Sequence, residues 1–454
     1  MKKQVLSALA FCSALGIAQA QTDVTKEYLV NPSFETLKAA DGTTDVAVKT
    51  KLESGLYGWE ISKLLDNQFS NYQVESEASG SSTGIPVNGI IKPSQGEFYY
   101  FNRQGWGNVD GSELKTSTSK NLPIGTYYAV IDYKAADFSN NNDASKSGTT
   151  IGIKAENATN ELLGENTAVR RAYSTLTSNS DPYMVNAAWN ELGTMFTVTE
   201  PTTVTISLVQ NMKNSGRSDI AWDNLRLYQI ENVSENKPMD VSGLITTSNY
   251  YALGGWNIEG GNTFQVNTWS TEGEKDGSGM TTPFIQDHVG KENKAANATI
   301  SHTVNHLIPG IYEVSGLIRV LNEAGGDTPS GATLYANEGS TNACNGEPCT
   351  NGVYGTYTVK GTVGTDGVLT FGIKVANANF NWVSFKNFKL QYLGAASIEQ
   401  LQATLKEKIE EAKAYVENCP KGIAAIVNAA ITQGNDAQNS DSEDVLNKAI
   451  AALT

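Results

Sequence analysis

Before residue 395 the apolar positions of this chain fall into short runs that alternate with polar positions every second residue. Val204-Thr205-Ile206-Ser207-Leu208 and Leu369-Thr370-Phe371-Gly372-Ile373 are clear examples. The runs are bounded by Gly, Pro and Asn, the pattern of short strands joined by turns. No helical period interrupts them, so a parallel sheet with helical crossovers is excluded. Many short strands with turn signals predict antiparallel sandwiches.

The pattern also repeats. Leu122-Pro123-Ile124-Gly125-Thr126-Tyr127 matches Leu307-Ile308-Pro309-Gly310-Ile311-Tyr312, each a Pro/Gly turn feeding a strand. Gly58-Trp59 matches Gly255-Trp256, and Gly193-Thr194-Met195-Phe196 matches Gly355-Thr356-Tyr357-Thr358. Asp223-Asn224-Leu225-Arg226-Leu227 matches Lys386-Asn387-Phe388-Lys389-Leu390. Landmarks in one order predict two copies of one domain. The first copy is longer, mostly through the polar segment from about Glu156 to Asn190.

From Ser397 the period changes to 3.6. Ile398, Leu401, Leu405, Ile409, Ala412 and Val416 share one face, and Ser397-Ile398-Glu399-Gln400 is a capping-box start. Shorter helices are expected at Ile423–Ile431 and about Asp441–Leu453, with Gly434–Ser440 as a linker. The predicted fold is therefore mainly β, with two tandem jelly-roll sandwiches at 21–232 and 233–395 and a helical module at 396–454.

Residues 1–20 read as a signal peptide. Lys2 and Lys3 precede an apolar stretch from Val5 to about Ile17, and Ala18-Gln19-Ala20 is a small-x-small cleavage site. The apolar stretch is too short to span a bilayer comfortably. Cys12 lies inside it, which argues against lipid attachment there. The protein is thus expected to be exported, to the periplasm, the cell surface or the medium. In an oxidising compartment the polar turn Cys344-Asn-Gly-Glu-Pro-Cys349 predicts a small-loop disulfide, two surface thiols being the alternative. Cys419 is left over and reads as half-buried packing.

Composition narrows the function. The 454 residues include 33 Lys and Arg against 48 Asp and Glu, a net charge of −15, and the leader takes two of the lysines with it. An acidic surface without a basic patch excludes nucleic acid and disfavours anionic membranes. Charged residues are only 18% of the chain while Gly reaches 42, in keeping with strands and turns. No HExxH or phosphate loop occurs. His302 and His306 sit four apart in a strand, about 13 Å along the chain, and cannot share a metal. His288 beside Asp287 reads as a surface pair in a loop.

Tyr28-Leu29-Val30-Asn31-Pro32-Ser33-Phe34-Glu35 resembles the first strand of galactose-binding-like jelly rolls of the carbohydrate-binding-module type. Asp223–Leu227 resembles their closing strand. The segments Asn267–Ser270, Gly279–Phe284 and Asn379–Phe385 resemble secreted modules of gut Bacteroidota, and the tail resembles the small helical modules that follow them. The resemblance implies a structural calcium between Glu35 and Asp223, with a carbonyl such as that of Asn31 completing an oxygen shell. In the second copy Lys386 stands where the Asp would be, and no metal is expected.

The resemblance also implies carbohydrate as partner. Sugars stack their C–H faces on aromatic rings, so Tyr100, Arg103 and Trp106 are the expected site in the first domain, and Trp269 with Asp276 in the second. Trp59, Trp256 and Trp222 read as core, and Trp189 as a lid or packing residue. The leading expectation is a non-catalytic exported glycan-binding protein. The alternatives are an adhesion protein whose helical tail docks a protein partner, and a β-sandwich lyase or hydrolase.

Overall fold

The computed structural model describes residues 20–63, 71–77, 92–104, 109–139, 150–169, 189–212, 216–246, 253, 255–261, 264–267, 284–344, 354–417 and 419–453. All pairing between its strands is antiparallel.

The first sandwich is made of two facing sheets. One runs in the order β10 (Asn190–Val198), β7 (Gly125–Ser139), β12 (Gly216–Ile230), β5 (Phe98–Gln104), β4 (Asn71–Ser76), with β1 (Gln21–Asp23) added beside β12. The other runs β2 (Gly55–Leu56), β3 (Trp59–Lys63), β6 (Val109–Ser117), β11 (Val204–Met212), β8 (Thr150–Asn157), β9 (Leu162–Val169). A one-turn helix, α1 (Thr25–Tyr28), closes one end. The inward residues of both sheets, among them Tyr100, Tyr127, Ile131, Ile153, Ile206, Ile220 and Trp222, form one buried cluster. Burying each such side chain contributes about 1.5–3 kcal/mol.

The second sandwich repeats this plan. Its sheets run β15 (Gln265–Asn267), β16 (Phe284–His288), β23 (Trp382–Tyr392), β18 (Gly310–Leu321), β21 (Gly355–Val363), and β14 (Asn257–Gly260), β17 (Ala298–Val304), β22 (Leu369–Val375), β19 (Ala332–Ala336), β20 (Gly339–Asn342). A short strand, β13 (Met239–Asp240), pairs with β23 as β1 does with β12. Read in matching directions, the orders are the same except that β2 has no counterpart.

The repeated motifs do the same work in both copies. Tyr127 donates its hydroxyl to the carbonyl of Pro123 at 2.9 Å, and Tyr312 to that of Ile308 at 2.9 Å, closing the Pro/Gly turn onto the strand. Gly58 and Gly255 both have positive φ, 82° and 84°. A Cβ on Gly58 would lie 2.3 Å from the Val30 carbonyl oxygen, so only glycine admits the following Trp59 to the core. Each closing strand carries a β-bulge next to an Asn in the left-handed region, Asn224 at 53° and Asn387 at 54°. One sequence match is displaced. Phe196 pairs with Tyr127, whereas the residue opposite Tyr312 is Gly361, so the strand-start match of Gly193 with Gly355 is out of step by three positions.

The two sandwiches share a core. Tyr128, Val130 and Met195 point outward from β7 and β10 and join the cluster that holds Met239, Val241, Leu244 and Tyr312. The Tyr312 hydroxyl oxygen lies 3.6 Å from Met195 Sδ, and Asn166 donates to the Gly193 and Leu244 carbonyls at 2.9 and 3.1 Å.

The tail forms three helices, α2 (Ile398–Val416), α3 (Lys421–Ala437) and α4 (Glu443–Ala451), around their own small core. Ser397 and Gln400 make the expected capping box. The expected linker at Gly434 is instead helical to Ala437. Gly434 faces Ile409, where a Cβ would meet the side chain at 3.0 Å, so the glycine lets two helices pack closely rather than breaking one. No helix among the described residues is long and apolar enough to cross a membrane.

Candidate functional site

Strand parity decides which side chains leave the core. On β5, Tyr100 points inward: it is fully buried, stacks on Phe34 at 5.7 Å, and burial holds its phenol well above the usual range. It cannot stack on a sugar, contrary to expectation. Its neighbour Tyr99 takes the outer face. The Tyr99 hydroxyl donates to Glu75 at 2.7 Å, and Gln73 donates to the other carboxylate oxygen of the same acid. The Tyr99 ring meets Trp189 edge-on at 6.2 Å. Trp189 donates its indole N–H to the Lys92 carbonyl at 3.0 Å, and the Lys134 ammonium stands 5.4 Å from its ring centre. Trp189 is half-buried, while Tyr99, Glu75 and Lys134 are buried. The buried carboxylate of Glu75 is tolerated because hydrogen bonds replace lost water.

The same face of the second sandwich carries a related group. The Arg319 guanidinium lies 4.1 Å from the Trp382 ring centre and 5.3 Å from that of Tyr354, and the Lys386 ammonium lies 4.7 Å from the latter. Arg319 Nε and the Tyr354 hydroxyl both donate to Ser384 Oγ, at 3.2 and 3.0 Å. His288 stacks on Trp382 at 4.4 Å and bonds Glu323 at 2.8 Å, while Asn381 donates to the same carboxylate oxygen at 2.6 Å. The His288 bond, ahead of the Asn381 one, holds Glu323 below its ordinary range although burial opposes it. His288 therefore belongs to a strand and an aromatic stack rather than to a loop.

A third position is legible only by comparing the copies. Asn102 on β5 points inward and donates to Ser112 at 2.8 Å. Tyr100 pairs with Trp222 and Ile285 with Phe385, so Asn102 and Asp287 occupy one register position. Leu114 pairs with Leu208 and Ile300 with Ile373, which places Ala298 where the first copy has Ser112. Asp287 is buried, and neither of its carboxylate oxygens has a hydrogen-bond partner among the described residues. Burial raises its pKa to about 6, against the opposing pull of His288.

Glu35 and Asp223 are brought to one segment, as expected of a pair. Glu35 accepts from Glu97 N with both oxygens at 3.1 Å and from Phe98 N at 3.1 Å. Asp223 Oδ2 accepts from Ser94 N, Ser94 Oγ and Gln95 N at 2.9–3.1 Å, and its Oδ1 accepts from Asn224 N at 2.7 Å. Gly96 has φ 71°, and a Cβ there would lie 2.2 Å from Glu35 Oε1. The two carboxylates thus clasp residues 94–98 by its N–H groups. Burial raises Asp223 to about 7 in spite of those bonds. Asp223 Oδ1 and Glu35 Oε2 each accept one of these bonds. No cluster of three or more metal-capable side chains occurs among the described residues.

The remaining expected residues are dispersed. Arg103 lies on β5, opposite Asn71 and Asp219, and its side chain is outside the described set. Trp106, Trp269, Asp276 and Cys349 lie outside the described residues, as do residues 1–19 of the leader. Cys344 is buried in the second core. Trp59, Trp222 and Trp256 are core. His302 is buried and bonded to the Gly255 carbonyl at 2.9 Å, whereas His306 is exposed in a turn, 3.7 Å from Glu165. Arg319 and Tyr99 sit in apolar runs that read as core on both faces, and Trp382 lies in a segment whose sequence signal is only its resemblance.

No protein family and no curated protein matches this sequence. Among solved structures, the chain is similar to the tandem CBM22 domains of Xyn10C from Paenibacillus barcinonensis, at 10% identity over 84% of this chain and 99% of that one, with a TM-score of 0.23. It is similar to TmCBM61, solved in complex with β-1,4-galactotriose, at 14% identity over 44% and 97%, TM-score 0.26. It is also similar to a cyclase from Fischerella sp., at 15% identity over 45% and 96%, TM-score 0.29. Overlap at this level gives no residue correspondence.

Proposed function

We propose that this protein is an exported, non-catalytic glycan-binding protein that uses the outer faces of both sandwiches. One observation carries the reading: in both copies the same sheet face places an aromatic ring between a cation and a hydrogen-bonded acid. Half-buried Trp189 offers its ring beside the Lys134 ammonium, with the buried Tyr99–Glu75 pair packed on its edge, and Trp382 stands with Arg319, His288 and Glu323. Rings for C–H faces beside planar polar groups for hydroxyls are the chemistry of sugar recognition. Two linked sites raise overall affinity when both engage one chain. A glycan array of plant, host and microbial polysaccharides, probed with the chain lacking residues 1–20, is expected to give hits that weaken on Trp382→Ala. An array without hits overturns the reading.

The calcium expectation becomes a second, separate proposal for the clasp. A cation sharing Glu35 and Asp223 predicts that EDTA lowers the melting temperature and that Glu35→Ala removes this sensitivity. Equal melting with and without EDTA leaves the clasp a purely hydrogen-bonded one.

A structural reading rests on the tail. Tyr415, Ile423, Ile426 and Val445 are exposed there, with Ile426 at 73%. Docking through Ile426 predicts that Ile426→Asp abolishes attachment to the cell envelope while sugar binding persists.

A further inference from the structure

The β-bulges of the two copies face each other across the junction between the sandwiches. Between them lies a cleft of about 480 Å³, within the roughly 300–1,000 Å³ usual for small-ligand sites. Its walls come from both domains. The first contributes Asp132, Trp189, Glu191 and Arg226, and the second Asp240, Asn387 and Lys389.

The polar groups are held in place. The Arg226 guanidinium bonds Asp132 and, at 3.0 Å, Glu191, while Asn224 fixes the other oxygen of Asp132 at 3.0 Å. Asp240 is fixed by the Ser242 N–H at 2.9 Å. Arg226 Nε is buried and has no partner among the described residues. Asn387 and Lys389 are exposed at the opposite wall. Trp189, half-buried, supplies the ring. Three carboxylates against two cations leave the lining net negative, on a chain that is itself net −15.

We infer that this cleft is a sugar subsite built jointly by the two sandwiches, taking a neutral pyranose residue and rejecting anionic ones. The inference rests on the glycan-binding reading above and deepens it. The indole takes the flat C–H face, and the prearranged carboxylates, Arg226 and Asn387 take the hydroxyls. Uronic or sulfated sugars meet the net negative lining and are repelled. Neither sandwich alone holds the site, because its two walls lie on different domains.

The test is titration calorimetry of the full chain lacking residues 1–20. The probes are neutral hexasaccharides of β-1,4-linked glucose, xylose, mannose and galactose, and a hexamer of galacturonic acid. Trp189→Ala and Asn387→Gly remove one group from each wall, and glycine keeps the left-handed backbone that Asn387 occupies. Trp382→Ala probes the outer face of the second sandwich, and circular dichroism confirms that each variant folds. Each cleft variant is expected to weaken binding of a neutral oligosaccharide about tenfold, as truncation at the centre of a site does. The galacturonate hexamer is expected to bind at least about tenfold more weakly than the neutral chain. Neutral binding that survives both cleft variants but is lost in Trp382→Ala overturns the junction site and leaves glycan binding standing. Galacturonate binding as tight as the neutral probe overturns the charge selectivity. Absence of any binding by the unsubstituted protein overturns both readings.

Discussion

Asp287→Asn is expected to raise the melting temperature by several degrees at pH 8 and to change it little at pH 4. The ordinary aspartate value is 3.8, and burial raises Asp287 to about 6 in the folded chain. Below pH 4 the carboxyl is neutral in both states and costs nothing extra. Between about 4 and 6 the unfolded chain gives up the proton first, so it binds fewer protons than the folded one and stability falls as pH rises. Above 6 the folded state carries a buried carboxylate that has no hydrogen-bond partner among the described residues. Ionising a carboxyl held that far above its ordinary value costs the folded state about 3 kcal/mol, and the amide removes the charge. Asparagine is also what the first copy carries at that register. Adding Ala298→Ser restores the Asn102–Ser112 pairing and is expected to contribute about 1 kcal/mol more. Thermal melts between pH 4 and 8, compared as differences between variant and parent, measure it. A parent-minus-variant difference that is flat with pH would falsify the buried-charge account.

Tyr128→Ala is expected to have a comparable effect of opposite sign. The ring leaves the first sandwich, lies in the core of the second, and stacks on Tyr228 at 6.4 Å. It also packs against two glycines, since Cβ atoms on Gly193 and Gly243 would lie 2.6 and 2.5 Å from it. Removing a buried aromatic ring costs about 3–5 kcal/mol. Here the loss falls on the contact that makes the two sandwiches unfold together. Calorimetry is expected to show one transition for the parent and two for the variant. A single cooperative transition in both shows that the shared core does not couple the domains.

The repeat, the antiparallel sandwiches and the capped first helix of the tail were legible because each rests on local chemistry: alternation, Pro/Gly turns, and Ser397 with Gln400. The side of the strand was not. Phe98-Tyr99-Tyr100-Phe101 is apolar throughout, so alternation gave no parity, and a shift of one residue exchanges Tyr100 for Tyr99. Tyr127-Tyr128-Ala129-Val130-Ile131 hid the junction for the same reason. A run buried on both faces looks like one core strand, although its two faces serve two different cores. The cleft was invisible because Arg226, Trp189, Asp240 and Asn387 are distant in sequence and meet only through two bulges. Glu35 and Asp223 both accept from residues 94–98, a contact that no local pattern in the sequence announces.

The shared core also gives the array a direction. The register that matches Tyr127 with Tyr312 puts Glu313, Ser315 and Lys360 where the first copy has Tyr128, Val130 and Met195. Lys360 is exposed and pairs with Glu235 at 2.9 Å. A third sandwich appended in the same manner would find salt and hydroxyl where it needed oil.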